Sequence, residues 1–223
     1  MTAIEALLFD FDGIVVDTEV PAFRAWQEVY AEHGHALALD EWAACVGTLG
    51  GFDPLARLEE LVGRPLDDPE AVDARRRQRN LELVAAEELR PGLGALLDDA
   101  RERDLDVAIV SSGSREWITS NLARVQRSDG WACFHCADGD AGRAKPRPLL
   151  YEEALASLGV AAHRAIAFED SPNGIRAAKD AGLFCVVVPN AVTRGLDLSA
   201  GDLVLESFED VTLDELLRLA SRG

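Results

Sequence analysis

The sequence contains no apolar run long enough to span a lipid bilayer. Its longest continuous apolar stretches, around residues 7–9 and 185–188, fall far short of the ~20 residues that a membrane-spanning helix needs. The first five residues lead into a strand pattern and include neither a charged leader nor a cleavable apolar stretch. We therefore expect no membrane partner and predict a cytoplasmic protein.

Positive charge is also scarce. The 22 lysine and arginine residues stand against 40 aspartate and glutamate residues, which gives a formal net charge of −18. The longest basic cluster, residues 75–77, lies among acidic neighbours. Nucleic acids and anionic membranes are poor partners for such a surface. An anionic substrate would need local positive charge from a metal ion, a lysine or backbone N–H groups.

Cysteine is rare and is poorly arranged for metal binding. Among the four cysteines, Cys133 and Cys136 form a Cys-x-x-Cys pair, and the chain has no second pair of this kind. A structural zinc site usually needs a second pair of ligands at suitable spacing. The pattern predicts buried thiols near a strand.

The composition is that of a soluble globular protein, with 48% hydrophobic and 28% charged residues. A length of 223 residues fits one large domain, or a domain of ordinary size that carries a smaller insertion.

Short apolar runs that are typical of buried strands recur along the chain. Several are apolar at consecutive positions, as in strands covered on both faces. An alternation of such strands with helical patterns predicts a doubly wound α/β fold with a parallel sheet. The predicted strands are 4–9, 107–110, 133–137, 165–168, 184–188 and 203–205, and the predicted helices are 93–103, 115–125, 149–158, 174–181 and 213–219.

Residues 16–89 break this alternation. They have helical periodicity, with Phe23, Trp26 and Val29 on one face, and no convincing strand. Proline and glycine at residues 91–92 mark the return to the sheet. We predict a helical cap at residues 16–89, inserted into an α/β core of residues 1–15 and 90–223.

Polar side chains follow several predicted strands at the point where each strand ends. The carboxyl ends of parallel strands meet at one edge of a sheet, where open α/β sheets bind ligands. Each of these short motifs is common in turns or helix caps when taken alone. Their occurrence in order along a single edge favours a functional site. The residues concerned are Asp10, Asp12, Ser111, Ser112, Gly113, Lys145, Glu169 and Asp170.

This set of side chains suits phosphoryl transfer. The carboxylates of Asp10 and Asp170, with the backbone carbonyl of Asp12, are the oxygen ligands that Mg²⁺ prefers. Lys145 and the hydroxyl of Ser111 would hold the oxygens of the transferring group where negative charge develops. The backbone N–H groups of residues 112 and 113 would serve the same purpose, because Gly113 permits a close approach.

The two aspartates at the first strand end suit two different roles. Side chains at positions i and i+2 point the same way in an extended segment. In this scheme Asp10 attacks phosphorus and forms an aspartyl-phosphate. Asp12 protonates the leaving oxygen and then deprotonates the water that hydrolyses the intermediate.

These segments resemble the motifs of the haloacid dehalogenase-like superfamily, in particular its phosphatases and phosphomutases related to β-phosphoglucomutase. The resemblance covers nearly the whole chain, including a helical cap inserted after the first motif. The four matching segments are FDFDGIVVDTE at 9–19, VSSGS at 110–114, KPRP at 145–148 and FEDSPNG at 168–174.

The resemblance implies roles for individual residues. Asp10 would be the nucleophile and Asp12 the acid/base, Ser111 and Lys145 would bind phosphate, and Asp170 would bind Mg²⁺ with Glu169 nearby. True haloacid dehalogenases lack the second aspartate, so Asp12 implies chemistry at phosphorus. Phosphonate-cleaving relatives depend on a cap lysine, and residues 16–89 contain none.

Two alternative functions stay open at this point. A sugar phosphomutase shares all four motifs, but in β-phosphoglucomutase a cap histidine occupies the place of Ala22, and a later cap loop carries cations that are absent from residues 45–51. Hydrolysis of a small phosphorylated metabolite is therefore favoured. A catalytically idle member that binds a phosphorylated ligand is the second alternative, and the intact motifs argue against it.

The substrate should be chosen by the cap, whose helices would close over the site and exclude water. The cap candidates are Glu19, Thr48 and Arg57, with Phe52 and Trp26 beside them, although core packing within the cap is the favoured role of Trp26. The particular phosphomonoester and the oligomeric state stay open.

Overall fold

The fold is built around a parallel β-sheet. The computed structural model describes residues 3–43, 46 and 52–221. Within them, six parallel strands follow the order β3-β2-β1-β4-β5-β6, which is the order of a doubly wound sheet. The strands are β1 (Ala6–Phe9), β2 (Asp106–Ser111), β3 (Cys133–Cys136), β4 (Ala165–Glu169), β5 (Phe184–Val187) and β6 (Leu203–Val204).

Helices connect and cover the strands, as the sequence predicts, and each predicted helix of the core lies within two residues of its observed bounds. No helix in the described ranges is long and apolar enough to cross a membrane. The helices are α1 (Glu19–Glu32), α2 (Leu39–Ala43), α3 (Pro54–Val62), α4 (Pro69–Val84), α5 (Leu93–Glu102), α6 (Arg115–Arg124), α7 (Leu149–Leu158), α8 (Pro172–Asp180) and α9 (Leu213–Ala220), with short 3₁₀ turns at Ala162–Arg164 and Phe208–Asp210. The α/β fold class is confirmed.

The sheet separates two hydrophobic clusters. Leu7 and Phe9 of β1 lie in one cluster, and Ala6 and Leu8 lie in the other, because successive side chains of a strand point to opposite faces. The ring of Phe9 stacks on that of Phe168 in β4, with centroids 4.4 Å apart. Burial of each large side chain contributes about 1.5–3 kcal/mol, so both faces anchor β1 at the centre of the sheet.

The same alternation separates two thiols of β3. Cys136 belongs to the cluster on one face, and Cys133 packs against the cluster on the other. Positions i and i+3 of a strand point in opposite directions, so these two thiols cannot bind one metal ion together. Cys136 and Cys185 are buried in strands, as the sequence predicts, whereas Cys133 is half-buried and Cys45 lies outside the described residues.

Helices α1 to α4 share a third hydrophobic cluster. Trp26, Val29 and Tyr30 of α1 contribute to it, and Trp26 is only 7% exposed, which confirms its packing role. Arg79 of α4 pairs with Glu28 of α1 through two hydrogen bonds of 2.7 and 3.0 Å. This packing agrees with a helical cap, while the exact division at residues 15/16 and 89/90 stays a prediction.

Two chain segments link these helices to the core, and the two segments run side by side. The N–H of Arg90 donates to the carbonyl of Val15 at 3.1 Å, and Val16 forms an isolated antiparallel bridge with Leu89. The guanidinium of Arg90 also donates to the carbonyls of Gly13 (2.7 Å) and Pro189 (3.0 Å). Arg90 therefore fixes the loop that follows β1 against the loop that follows β5.

Candidate active site

Asp10 lies at the carboxyl end of β1 and is 4% exposed. Its backbone N–H continues the sheet by donating to the carbonyl of Phe168 at 3.0 Å. The N–H of Phe11 donates to Oδ1 of Asp10 at 2.7 Å, which fixes the orientation of the carboxylate. The side chain is thus held at the edge where the sequence predicts the nucleophile.

A glycine is required immediately after this strand end. Gly13 has φ +82°, and a Cβ at this position would lie 2.1 Å from Oδ2 of Asp170. Since only glycine combines this conformation with the absence of a side chain at low cost, Gly13 lets the loop approach Asp170 closely.

Three carboxylates from two neighbouring strand ends meet at this edge. Phe9 of β1 pairs with Phe168 of β4, so the residues that follow them, Asp10, Glu169 and Asp170, are adjacent. One oxygen of each lies within 4.8 Å of the others, and all three are buried. Burial is the main reason that the pKa of Asp170 lies well above its ordinary value.

Lys145 compensates part of this negative charge. Its Nζ lies 2.8 Å from Oδ1 of Asp10 and 2.7 Å from Oε1 of Glu169, with the lysine side chain 1% exposed. Burial alone would lower the lysine pKa, but the two carboxylates outweigh it and the pKa is raised. The ammonium form is therefore stabilised beside the predicted nucleophile.

Glu169 has a second partner that the sequence analysis did not identify. The hydroxyl of Tyr151 in α7 donates to Oε1 of Glu169 at 2.5 Å. Burial, followed by the charge of Asp10, raises the pKa of Glu169 to about 7 against the opposing effect of Lys145. Tyr151 lies three residues after the third motif, on a face of α7 that packs into the core.

Asn190 orients the third carboxylate, and it was also missed. Its Nδ2 donates to Oδ2 of Asp170 at 2.7 Å. Its Oδ1 accepts from the N–H groups of Val192 and Thr193 at 2.8 and 3.1 Å, which fixes the amide. Asn190 follows β5, so the rule that polar residues at strand ends form the site could have found it.

The donors at this edge fit a hard divalent cation. Asp10, Glu169 and Asp170 offer carboxylate oxygens, the ligands that Mg²⁺ prefers. The buried Oε2 of Glu169 has no hydrogen-bond partner among the described residues, which leaves it available to a cation. The side chain of Asp12 is not one of these three grouped carboxylates. Asp12 would therefore bind the metal ion through its backbone carbonyl.

Asp12 has its own hydrogen-bond partners. Its Oδ1 accepts from the hydroxyl of Thr18 at 2.7 Å and from the indole N–H of Trp117 at 2.8 Å. Burial and then the charge of Asp10 raise the pKa of Asp12, while the two hydrogen bonds and Lys145 oppose the shift. A raised pKa favours the protonated form that a general acid needs. Neither partner was identified from the sequence.

The segment after β2 brings the predicted phosphate ligands to the same edge. Ser111 is 1% exposed, and its Oγ accepts from the N–H of Gly113 at 2.9 Å. The Oγ of Ser112 accepts from the backbone N–H of Lys145 at 3.2 Å, which joins the second and third sequence motifs. A Cβ on Gly113 would lie 3.2 Å from Oδ2 of Asp12, so this loop is next to the predicted acid/base.

The cap candidates differ in their positions. Glu19 begins α1, and burial together with the charges of Asp12, Asp10 and Asp17 raises its pKa to about 8. This electrostatic coupling relates Glu19 to the carboxylates of the site.

The remaining cap candidates receive less support. Arg57 pairs instead with two cap carboxylates, Glu41 at 3.0 Å and Glu60 at 3.1 Å, and this pairing gives no support to a substrate contact. Phe52 packs against the hydrophobic cluster of the cap. Thr48 lies outside the described residues.

The doubly wound sheet carries these carboxylates at its carboxyl edge, where open α/β sheets bind ligands. The sequence matches the family of haloacid dehalogenase-like hydrolases over residues 4–182. YhcW of Bacillus subtilis (strain 168), which carries a provisional phosphatase name, is 40% identical over 96% of this chain and 96% of its own length. The protein CbbY of Cereibacter sphaeroides is 35% identical over 93% of this chain and 94% of its own.

A solved structure has the same fold. A variant of CbbY from Rhodobacter sphaeroides, in complex with xylulose-(1,5)bisphosphate, is similar with a TM-score of 0.70 at 32% identity, over 92% of this chain and 95% of that one. The chain belongs to the haloacid dehalogenase-like hydrolase family. It is an enzyme of the phosphoric monoester hydrolase class.

Proposed function

We propose that the protein is a Mg²⁺-dependent phosphatase that hydrolyses a small phosphorylated sugar or a similar metabolite through an aspartyl-phosphate at Asp10. The observation that carries this proposal is the buried group at the sheet edge, in which Lys145 lies 2.8 Å from Asp10 and the carboxylates of Glu169 and Asp170 lie close by. A nucleophilic carboxylate needs positive charge beside it, because the negative charge of a phosphate dianion repels the carboxylate.

The phosphoryl group would be bound by groups at three strand ends. Asp10, Asp170 and Glu169, with the carbonyl of Asp12, would hold Mg²⁺. When bound, the cation supplies positive charge that lets a carboxylate approach a phosphate dianion. The ammonium of Lys145 and the hydroxyl of Ser111 would stabilise the charge that develops on the phosphoryl oxygens, assisted by the backbone of residues 112 and 113.

The reaction would proceed in two steps that share one acid/base. In the first step an oxygen of Asp10 bonds to phosphorus, the P–O bond of the ester breaks, and Asp12 gives its proton to the leaving oxygen. In the second step Asp12 accepts a proton from water, the water oxygen bonds to phosphorus, and the bond to Asp10 breaks. Inorganic phosphate and an unmodified Asp10 result.

A sugar phosphate is the favoured substrate class. The similarity to CbbY, a variant of which is solved in complex with xylulose-(1,5)bisphosphate, supports a polyhydroxylated substrate. Glu19 lies at the start of α1 and is coupled electrostatically to Asp12 and Asp10, which supports a place beside the substrate where its carboxyl group can hydrogen-bond to a hydroxyl. Thr48 and Arg57 stay weaker candidates for substrate contacts.

Hydrolysis is favoured over phosphate transfer between two positions of a sugar. Residue 22 in α1 is an alanine, without a group that can exchange a proton. A mutase must also retain a bisphosphate intermediate, for which cationic groups in the cap would be needed. Isomerisation of a hexose 1-phosphate in the presence of the bisphosphate would identify a mutase, whereas binding without turnover would identify an idle ligand-binding protein.

The test is phosphate release from a panel of metabolite phosphates by the purified protein, with Mg²⁺ or with EDTA. We expect release from a few related sugar phosphates, its loss with EDTA, and its loss in Asp10→Asn. Asp17→Asn is a matched control, because Asp17 accepts a hydrogen bond from Val20 at 3.2 Å and has no proposed chemical role. Release that persists in Asp10→Asn would contradict the proposal.

A further inference from the structure

The indole of Trp117 makes a contact with Asp12 that no sequence motif indicates. Trp117 lies in the first turn of α6, and its Nε1 donates to Oδ1 of Asp12 at 2.8 Å. The hydroxyl of Thr18 donates to the same oxygen at 2.7 Å. Within the described part of the chain, both hydrogen bonds to this carboxylate reach Oδ1 and none reaches Oδ2.

The other oxygen of Asp12 faces the loop that carries the predicted phosphate ligands. A Cβ built on Gly113 would lie 3.2 Å from Oδ2 of Asp12 and 3.2 Å from Oγ of Ser111. Oδ2 and the Ser111 hydroxyl thus border the same small space above the sheet edge. In the proposed function, the ester oxygen of a bound phosphomonoester would lie beside Oδ2 in order to receive a proton from Asp12.

We propose that Trp117 is a positioning residue that makes Oδ2 the proton-bearing oxygen of Asp12 and directs it at the leaving group. This assignment rests on the proposed function, in which Asp12 is the general acid. An indole N–H can only donate, whereas a threonine hydroxyl can donate or accept. When Asp12 is protonated, a donor held at Oδ1 excludes the proton from that oxygen, so the proton is carried by Oδ2.

Trp117 is anchored on one side through its backbone at the start of α6. Its backbone N–H donates to Oγ of Ser114, the N-cap of α6, at 3.2 Å. On its other side, the half-buried ring lines a cavity of about 420 Å³ together with Leu81 and Val84 at the end of α4. The ring packs against the core cluster on one side and borders this open space on the other, so a smaller ring at this position should be tolerated by the fold.

The role predicts a dependence on the leaving group. As the P–O ester bond breaks, the proton on Oδ2 moves to the departing oxygen and the new bond forms to Asp10. A leaving group that is stable as an anion departs readily without this proton, whereas departure of a more basic leaving group depends on it. p-Nitrophenyl phosphate and phenyl phosphate are nearly the same shape and differ mainly in the basicity of the oxygen released.

The experiment compares kcat/KM for these two probes in the wild-type protein, Trp117→Phe and Trp131→Phe. Trp131 is a matched control, because its indole N–H donates to the carbonyl of Arg127 at 2.8 Å and not to Asp12. Loss of this hydrogen bond predicts about a tenfold decrease for phenyl phosphate in Trp117→Phe, with at most about a twofold decrease for p-nitrophenyl phosphate. Trp131→Phe should change both values equally.

A second variant distinguishes the hydrogen bond from the shape of the ring. In Trp117→His, a ring N–H of the five-membered imidazole can reach the place of the indole N–H, so the ratio of the two kcat/KM values should return toward that of the wild type. Circular dichroism and thermal unfolding establish that each variant is folded.

Equal losses for both probes in Trp117→Phe would overturn the assignment, as would an unchanged ratio in a folded variant or the same selective loss in Trp131→Phe. Failure of the wild-type protein to release phosphate from either probe, or from any metabolite of the panel, would instead contradict the proposed phosphatase function, and the assignment with it.

Discussion

The ammonium of Lys145 lies 2.8 Å from Oδ1 of Asp10, and both side chains are almost completely buried. The chain has two lysines, and the other, Lys179, pairs with Asp202 where both side chains are about one-third exposed. Lys145 therefore places a buried positive charge beside the proposed nucleophile in a protein with a net charge of −18.

Lys145→Met should lower both activity and stability. Removal of one member of a buried ion pair leaves carboxylates without compensation, which costs about 3–5 kcal/mol of unfolding free energy. Unfolding in urea with EDTA measures this loss, and Mg²⁺ should restore part of it by supplying positive charge to the same carboxylates. Lys179→Met should cost about 1 kcal/mol or less, as expected for a surface pair. Equal effects of the two substitutions would contradict the account.

Gly13→Ala should disrupt the metal site because the new methyl group would meet the carboxylate of Asp170. Gly34→Ala is a matched control, since Gly34 also has a positive φ of +77° and no atom within 4 Å of a built Cβ. The control should cost about 1–2 kcal/mol in unfolding free energy for the left-handed backbone and leave phosphate release near the wild-type rate. Gly13→Ala should lower Mg²⁺-dependent phosphate release by about tenfold or more, as for lost support of a metal ligand.

Asn190→Ala should weaken Mg²⁺ binding without removing a ligand. The variant loses the hydrogen bond of 2.7 Å to Asp170, and loss of a partner that orients a metal ligand typically costs about 10–100-fold in affinity. Mg²⁺ titration of phosphate release should show this as an increase in the half-saturating concentration. Thr193→Val is the control, because Thr193 accepts from the backbone of Asn190 and does not touch Asp170. An unchanged Mg²⁺ requirement in Asn190→Ala would refute the orienting role.

Glu19→Gln should stabilise the metal-free protein increasingly as the pH rises. Burial and the charges of Asp12, Asp10 and Asp17 raise the pKa of Glu19 from 4.5 to about 8. The folded protein therefore binds this proton more tightly than the unfolded chain does, and the stabilising contribution is complete below pH 4.5 and lost as the pH rises toward 8. A glutamine stays neutral throughout.

The measurement for this prediction is the difference in Tm between Glu19→Gln and the wild type, with EDTA, from about pH 5 to about pH 9. The variant should gain in Tm relative to the wild type across this range. A difference that does not change with pH would mean that Glu19 titrates near its ordinary pKa.

The arrangement of strands and helices could be predicted from the sequence because the sheet is covered on both faces. Strands such as β1 and β4 are then apolar at consecutive positions, and glycine, proline and acidic residues mark their ends. The predicted bounds of the six strands differ from those observed by at most two residues. The helical character of residues 16–89 was equally visible from the spacing of its aromatic and aliphatic residues.

Side chains that support the site were harder to predict. Trp117 is 105 positions from Asp12, and no local pattern indicates that an indole in the first turn of a helix will reach another strand end. Tyr151 has the spacing of a core residue on α7, and it does pack in the core. The carboxylates at the strand ends were predictable because the topology of a parallel sheet brings them together whatever their separation along the chain.

The central claim is that Asp10 becomes covalently phosphorylated during turnover. Acid quenching within one turnover, followed by proteolysis and mass spectrometry, measures this directly with a substrate from the panel and Mg²⁺. The account predicts phosphate on the peptide that contains Asp10, and its loss in Asp10→Asn but not in Asp17→Asn. Turnover without phosphate on that peptide, or with phosphate on another residue, would contradict it.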